Sequence, residues 1–252
     1  MHTITLMNQK GGAGKSTAAR TLLSAGDATG LRCAFIDADQ TGNLADWAMR
    51  SAEAGLWAPA FEAYQTHDAQ EAEEIAGELA AEGAIDLLLI DTAGDASRDH
   101  DAYATLADLI LCPMLLSQSD LETARGTANY LFRMRSRTVS PHLLPEFRVV
   151  LNRLPSRPSA GDARLVRTVH SSPLVGVSHS EPEEHLKLLS ASLQEREAYK
   201  MMDREGLLGR ILTRHNDQSE AFAKNPKHIL NAVAEAEELL SACLELMKGP
   251  RP

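Results

Sequence analysis

Residues 7–17 read MNQKGGAGKST, a spacing suited to holding the phosphates of a nucleotide. Gly11, Gly12 and Gly14 permit a tight turn, and with Ala13 they can aim backbone N–H groups at oxyanions. A helix starting at Lys15 would add the partial positive charge of its N-terminus. Lys15 would bridge the β- and γ-phosphates, Ser16 would place its hydroxyl on magnesium, and Thr17 would reach the α-phosphate. Lys10 is surplus to that scheme. It is either a solvated side chain or a cation recruited to phosphates.

Carboxylates fall where metal and water chemistry needs them. LLLIDTAG puts Asp91 at the end of an apolar run, the place where α/β sheets bind ligands. Asp91 could hold magnesium through a water, and Gly94 could approach the γ-phosphate with its backbone. FIDADQTGN puts Asp37 and Asp39 at the end of another run. Asp37 is a second magnesium candidate. Asp39, entering a loop, could orient or deprotonate the attacking water, and phosphoryl transfer asks for little beyond such positioning. Either acid could instead cap the following helix. VVLNRLPS closes a late run and offers Asn152 and Arg153 to the base. A guanine site would want Asn-Lys-x-Asp there, so adenine, and hence ATP, is favoured.

Positioning these groups requires alternating strands and helices. Short apolar runs at 3–7, 33–37, 85–91, 109–115, 147–151 and 174–177 predict buried strands, with a weaker edge strand at 60–64. Helices are expected at 15–29, 43–53, 68–82, 99–107, 121–137 and 162–170. The C-terminal part, about 193–248, reads as two amphipathic helices at 195–212 and 227–247 that cap the sheet. The expected fold is α/β: a single P-loop domain over 1–252, with a mostly parallel twisted sheet flanked by helices.

Composition narrows the classes further. The 252 residues are 44% hydrophobic but only 4% aromatic, which favours helices over a sandwich or barrel. No secretory leader is evident, no apolar run is long enough to span a bilayer, and the acidic last helix does not suit a membrane surface. Three widely spaced cysteines, Cys33, Cys112 and Cys243, suggest reduced thiols in a cytoplasm. The net charge of −10 argues against nucleic acid, yet residues 125–167 carry nine arginines, no lysine and two acids. That basic stretch suggests a partner-facing patch. Arg133 and Arg137 share a helical face at i, i+4, and Arg164 and Arg167 follow, with Lys224 and Lys227 as a further possibility. Arginines so placed can track DNA phosphates without reading sequence, or form an ordinary solvated face.

KGGAGKST resembles the deviant phosphate loop of the ParA/MinD family of ATPases, in which a signature lysine precedes the glycines. DADQTGN is similar to that family's switch I, without the usual proline before the glutamine, and LLLIDTAG to its Walker B and switch II. LQEREAYKMMDREG resembles its late Arg–aromatic–Gly segment near the nucleotide. NLADW after switch I places the likeness in the short ParA-like branch, beside the VirC-type proteins that enhance plasmid DNA transfer. The resemblance implies a homodimer formed around ATP, in which Lys10 reaches across to the partner's phosphates and hydrolysis dissolves the pair. It also implies non-specific double-stranded DNA as a partner, a nucleoid-associated location and a ParB-like or relaxase-type adaptor. The cargo would be a plasmid, a transfer complex or a protein cluster. A small-molecule kinase or ligase can share this scaffold but would need an acceptor-activating base, which these motifs do not supply. An iron–sulfur reductase would need paired cysteines in glycine-rich turns, which the three thiols do not provide.

Overall fold

A computed structural model describes residues 1–94, 100–137, 144–171, 185–217 and 226–248. The apolar runs form six parallel strands: β1 (His2–Leu6), β2 (Cys33–Ala38), β3 (Glu62–Gln65), β4 (Leu87–Thr92), β5 (Leu109–Met114) and β6 (Glu146–Leu151). They line up in the order β3-β2-β4-β1-β5-β6. Every residue of β2, β4 and β5 is buried, as expected for parallel strands covered on both faces. β3 alternates between half-buried and exposed positions and closes one edge. At the other edge β6 is covered by residues 187–193, which bond to Val149 and Leu151. The strand expected at 174–177 lies outside the described residues.

Six helices connect and flank the strands: α1 (Lys15–Thr29), α2 (Asn43–Glu53), α3 (Ala69–Glu82), α4 (His100–Leu106), α5 (Gln118–Arg137) and α6 (Ala160–His170). Their starts are set by local chemistry. Asp68 accepts from the amides of Gln70 and Glu71 and starts α3. Ser159 and Asp162 form a reciprocal capping box, so α6 begins at Ala160 rather than at 162.

The C-terminal part departs from expectation in one respect. In place of a single helix over 195–212 there are two, α7 (Glu197–Glu205) and α8 (Leu208–Asp217). The break is at Gly206, whose φ of 146° is a conformation that side-chain-bearing residues rarely adopt. A Cβ there would stand 2.7 Å from the Cβ of Leu56, and the next residue, Leu207, donates its amide to Leu56 O at 3.1 Å. Helical periodicity survives such a break, so the pattern alone does not show it. The last helix, α9 (Lys227–Met247), buries Ile229, Ala236, Leu239, Leu240 and Cys243 in the cluster that also holds α1 and the sheet. Its most extensive helix partner is α1. No helix among the described residues is long and apolar enough to cross a membrane.

Candidate nucleotide-binding site

The sheet order decides what meets at the C-terminal ends of the strands. β1 leads into the glycine loop and α1, with Gly14 as a left-handed N-cap that supplies no side-chain acceptor. No acid stands in the first turn of α1, so its amides and dipole are left for an anion. Lys15 is 6% exposed and its Nζ donates only at 3.4 Å, to Asn8 O. Asn8, which sequence reasoning passed over, is fully buried. It donates to Pro113 O at 2.7 Å and accepts from the Lys10 amide at 2.9 Å. It therefore ties the loop to β5. Ser16 and Thr17 follow, half-buried, in the first turn of α1.

Neighbouring strands bring the carboxylates together, since Leu6 pairs with Asp91 and Asp37 with Asp91 across the sheet. Asp91 is 1% exposed, and neither of its carboxylate oxygens has a hydrogen-bond partner. Burial, with Asp37 adding repulsion, pushes its pKa up to about 7, against the pull of Ser16 and Lys15. Buried polar groups are normally satisfied, so two orphaned oxygens beside Ser16 suit a magnesium ion or its water shell. Asp37 is differently employed. Its Oδ2 accepts from the amides of Leu44 and Ala45 at 2.8 and 2.9 Å, and its Oδ1 accepts from the Asp39 amide at 3.1 Å. It thus caps α2, the alternative that its position after a strand left open. Asp39 lies in the loop, where Oδ1 accepts from the amide and hydroxyl of Thr41.

The sign of the Asp91 shift gives an expected pH dependence. Between about pH 4 and pH 7 the native state binds a proton that the unfolded chain has lost, so ligand-free stability falls as pH rises through that window. Asp91→Asn removes the ionisation. Without magnesium or nucleotide, the variant should melt above the parent at pH 8, and the gap should narrow markedly at pH 5. The ceiling is a few kcal/mol, at about 1.4 kcal/mol per pKa unit. Parallel melting curves for the two proteins at both pH values would contradict the assignment.

Lys10 does not stand free. Its Nζ donates to Asp120 Oδ2 at 2.9 Å and to Ser119 Oγ at 3.2 Å, at the start of α5. The Asp120 side chain is 2% exposed and that of Lys10 38%, so the lysine lies at the mouth of the site, held by an acid beneath it. Gly94 packs against the loop itself: a Cβ there would lie 2.9 Å from the Gly11 amide. Only glycine permits that approach.

The base-side residues divide. Asn152 is 2% exposed, and its Nδ2 donates to Ala13 O at 3.3 Å, occupying the space that a side chain at position 14 would need. It braces the phosphate loop. Arg153, the single non-glycine residue with positive φ among those described, lines an open cavity of about 440 Å³ with Gly12, Thr17, Arg196, Tyr199 and Lys200. Another residue missed by sequence, Arg20, joins three elements. It donates to Asn43 O at 2.9 Å, pairs with Asp203 of α7, and lies over the buried Trp47 ring at 5.4 Å. It so fixes α2 and α7 to the loop helix.

The candidate DNA residues lie apart from these groups. Arg133 and Arg137 are exposed near the end of α5 and flank a cavity with Asp101 and Tyr130, while Arg135 turns away to Pro145 O at 2.9 Å. Arg164 and Arg167 are exposed on α6. Lys224 lies outside the described residues, and Lys227 begins α9. The three cysteines are buried in β2, β5 and α9, with burial pushing each thiol up to about 12.

A parallel sheet with a glycine loop after its central strand and a buried acid at the end of the strand beside it defines a P-loop NTPase fold of the ParA/MinD type. Solved structures agree. MinD of Aquifex aeolicus is similar with a TM-score of 0.63 at 14% identity, covering 97% of this chain and 98% of that one. An ATP complex of McdA from Cyanothece is similar at 0.60 and 18% identity, covering 94% and 96%. At the level of sequence, residues 1–248 match the VirC1 protein family model, and the chain belongs to that family. The virC1 protein of Rhizobium radiobacter is 27% identical over 248 residues, 97% of this chain and all of that one.

Proposed function

We propose that this protein is an ATPase that dimerises around ATP and, in that state, binds DNA non-specifically to position a plasmid or similar cargo. The observation that carries the reading is the pairing of a complete phosphate loop with the orphaned, buried Asp91 at the adjoining strand end. The resemblance to ParA/MinD ATPases, the VirC1 family membership and the ATP bound in the related McdA fold support nucleotide as the ligand. Ser16 and Asp91 would hold magnesium, which would neutralise phosphate charge. Lys15 would bind the phosphates, and Asp39 would orient the water whose oxygen attacks the γ-phosphorus as ADP leaves. Turnover should be slow without an adaptor, since Arg20 is committed to Asp203 and Arg196 to Glu235.

For DNA, the whole-protein charge of −10 opposes approach, but salt screens it within about 8–10 Å. Arginines in contact with phosphate then dominate, and dimerisation doubles the patch. DNA binding should be weak without nucleotide and clear with ATP, and should fall steeply with salt. Replacing Arg133 and Arg137 together by alanine should flatten the salt slope by about one unit per lost contact while ATPase activity survives. Fluorescence anisotropy over a salt series checks this. Binding like the parent's would assign the helix end to solvent and move the DNA surface to Arg164 and Arg167.

A further inference from the structure

Glu235 belongs by sequence to the acidic outer face of α9, with Glu237 and Glu238, yet it does not face solvent. Its carboxylate collects four donors. Oε1 accepts from Arg196 Nε at 2.8 Å and from Arg196 Nη2, while Oε2 accepts from the Tyr199 hydroxyl at 2.9 Å and the Gln194 amide at 3.3 Å. The side chains of Arg196 and Glu235 are only 25% and 13% exposed, so solvent screens the pair weakly. Gln194, Arg196 and Tyr199 line the 440 Å³ cavity together with Gly12, Gly14 and Thr17 of the phosphate loop and α1. α9 also packs along α1, the helix that begins at that loop. One helix therefore packs on α1, the helix that follows the phosphate loop, through its apolar side and holds the 194–199 segment through a single carboxylate.

We propose that Glu235 is a positioning residue for nucleoside recognition: it fixes the 194–199 wall at the distance from the loop that the base and ribose require. The inference rests on the nucleotide reading of the site. Its distinctive consequence is where the affinity goes. The glycine loop and Lys15 hold the phosphates without help from α9, so loosening the wall should cost nucleoside binding and spare phosphate binding. A carboxylate that merely braces the C-terminal helices would lower the melting temperature and leave that discrimination unchanged.

The test compares magnesium-ATP with magnesium-tripolyphosphate by titration calorimetry on the full chain. Glu235→Gln keeps the shape and removes the charge facing Arg196. It should weaken ATP about tenfold, the loss of a charge-assisted hydrogen bond, and shift tripolyphosphate by less than about twofold. Tyr199→Phe removes one donor from the same carboxylate and should weaken ATP about threefold, again sparing tripolyphosphate. Unchanged ATP affinity in Glu235→Gln, or equal weakening of both ligands, would overturn the proposal. Should circular dichroism show Glu235→Gln unfolded, the ligand ratio of Tyr199→Phe decides, and a ratio like the parent's overturns it. A parent that binds neither ligand would instead remove the nucleotide reading itself.

Discussion

Lys15→Ala is expected to abolish ATP binding, weakening it by roughly a hundredfold or more. Lys15 is 6% exposed, and the one hydrogen bond of its ammonium, to Asn8 O, is long at 3.4 Å. A buried cation so weakly satisfied is poised for a stronger acceptor, and a phosphate oxygen supplies one. Removing one member of a buried charge pair typically costs about 3–5 kcal/mol, at about 1.4 kcal/mol per tenfold in affinity. Lys10, held on Asp120, and Arg20, held on Asp203, are engaged elsewhere and do not replace it. The fold should survive, since little native bonding depends on the ammonium. Calorimetric titration with magnesium-ATP checks the expectation, and affinity within about threefold of the parent would contradict it.

Lys10→Ala should behave differently. ATP binding by a single subunit should change little, because Lys10 lies outside the loop's own phosphate cradle and points at α5. Dimerisation and turnover should be lost, with turnover falling by about a thousandfold, the lower range for a cation supplied to phosphates from a partner. To reach across, Lys10 must leave Asp120, and that acid, nearly fully buried, would keep the bond to Ser117 but lose its cation. In the proposed dimer, Asp120 would therefore compete with the partner's phosphates for Lys10. A Lys10→Ala variant with normal turnover would remove the cross-subunit role.

The contrast between these two lysines shows what was legible in the sequence. The glycine loop, the six described strands with the helices between them, and Asp91 at a strand end could be read because each depends on neighbours within one short stretch. The partner of Lys10 could not. Asp120 is 110 residues away, and the two meet because β5 pairs directly with β1 and each strand delivers its following segment to the same end. An acid in the first turn of a helix is read locally as a cap or dipole complement. Glu235 was hidden similarly, since a glutamate among glutamates on an amphipathic helix resembles a solvated face. The bond from Asn152 to the loop was not legible either, because it depends on β6 ending close enough to Gly14 for the amide to fill the missing side chain's space. Asp37 was placed correctly at a strand end, and only the register of α2 shows its Oδ2 accepting from Leu44 and Ala45.

The dimer around ATP is most directly checked by light scattering on Asp39→Ala, whose nucleotide should persist because water activation is removed. The chain has a mass of 27.3 kDa. With magnesium-ATP the particle mass should double, and it should stay at the single-chain value with ADP or after adding Lys10→Ala to the same variant. A single-chain mass under saturating ATP, or a doubling that persists without Lys10, would contradict the proposed mechanism.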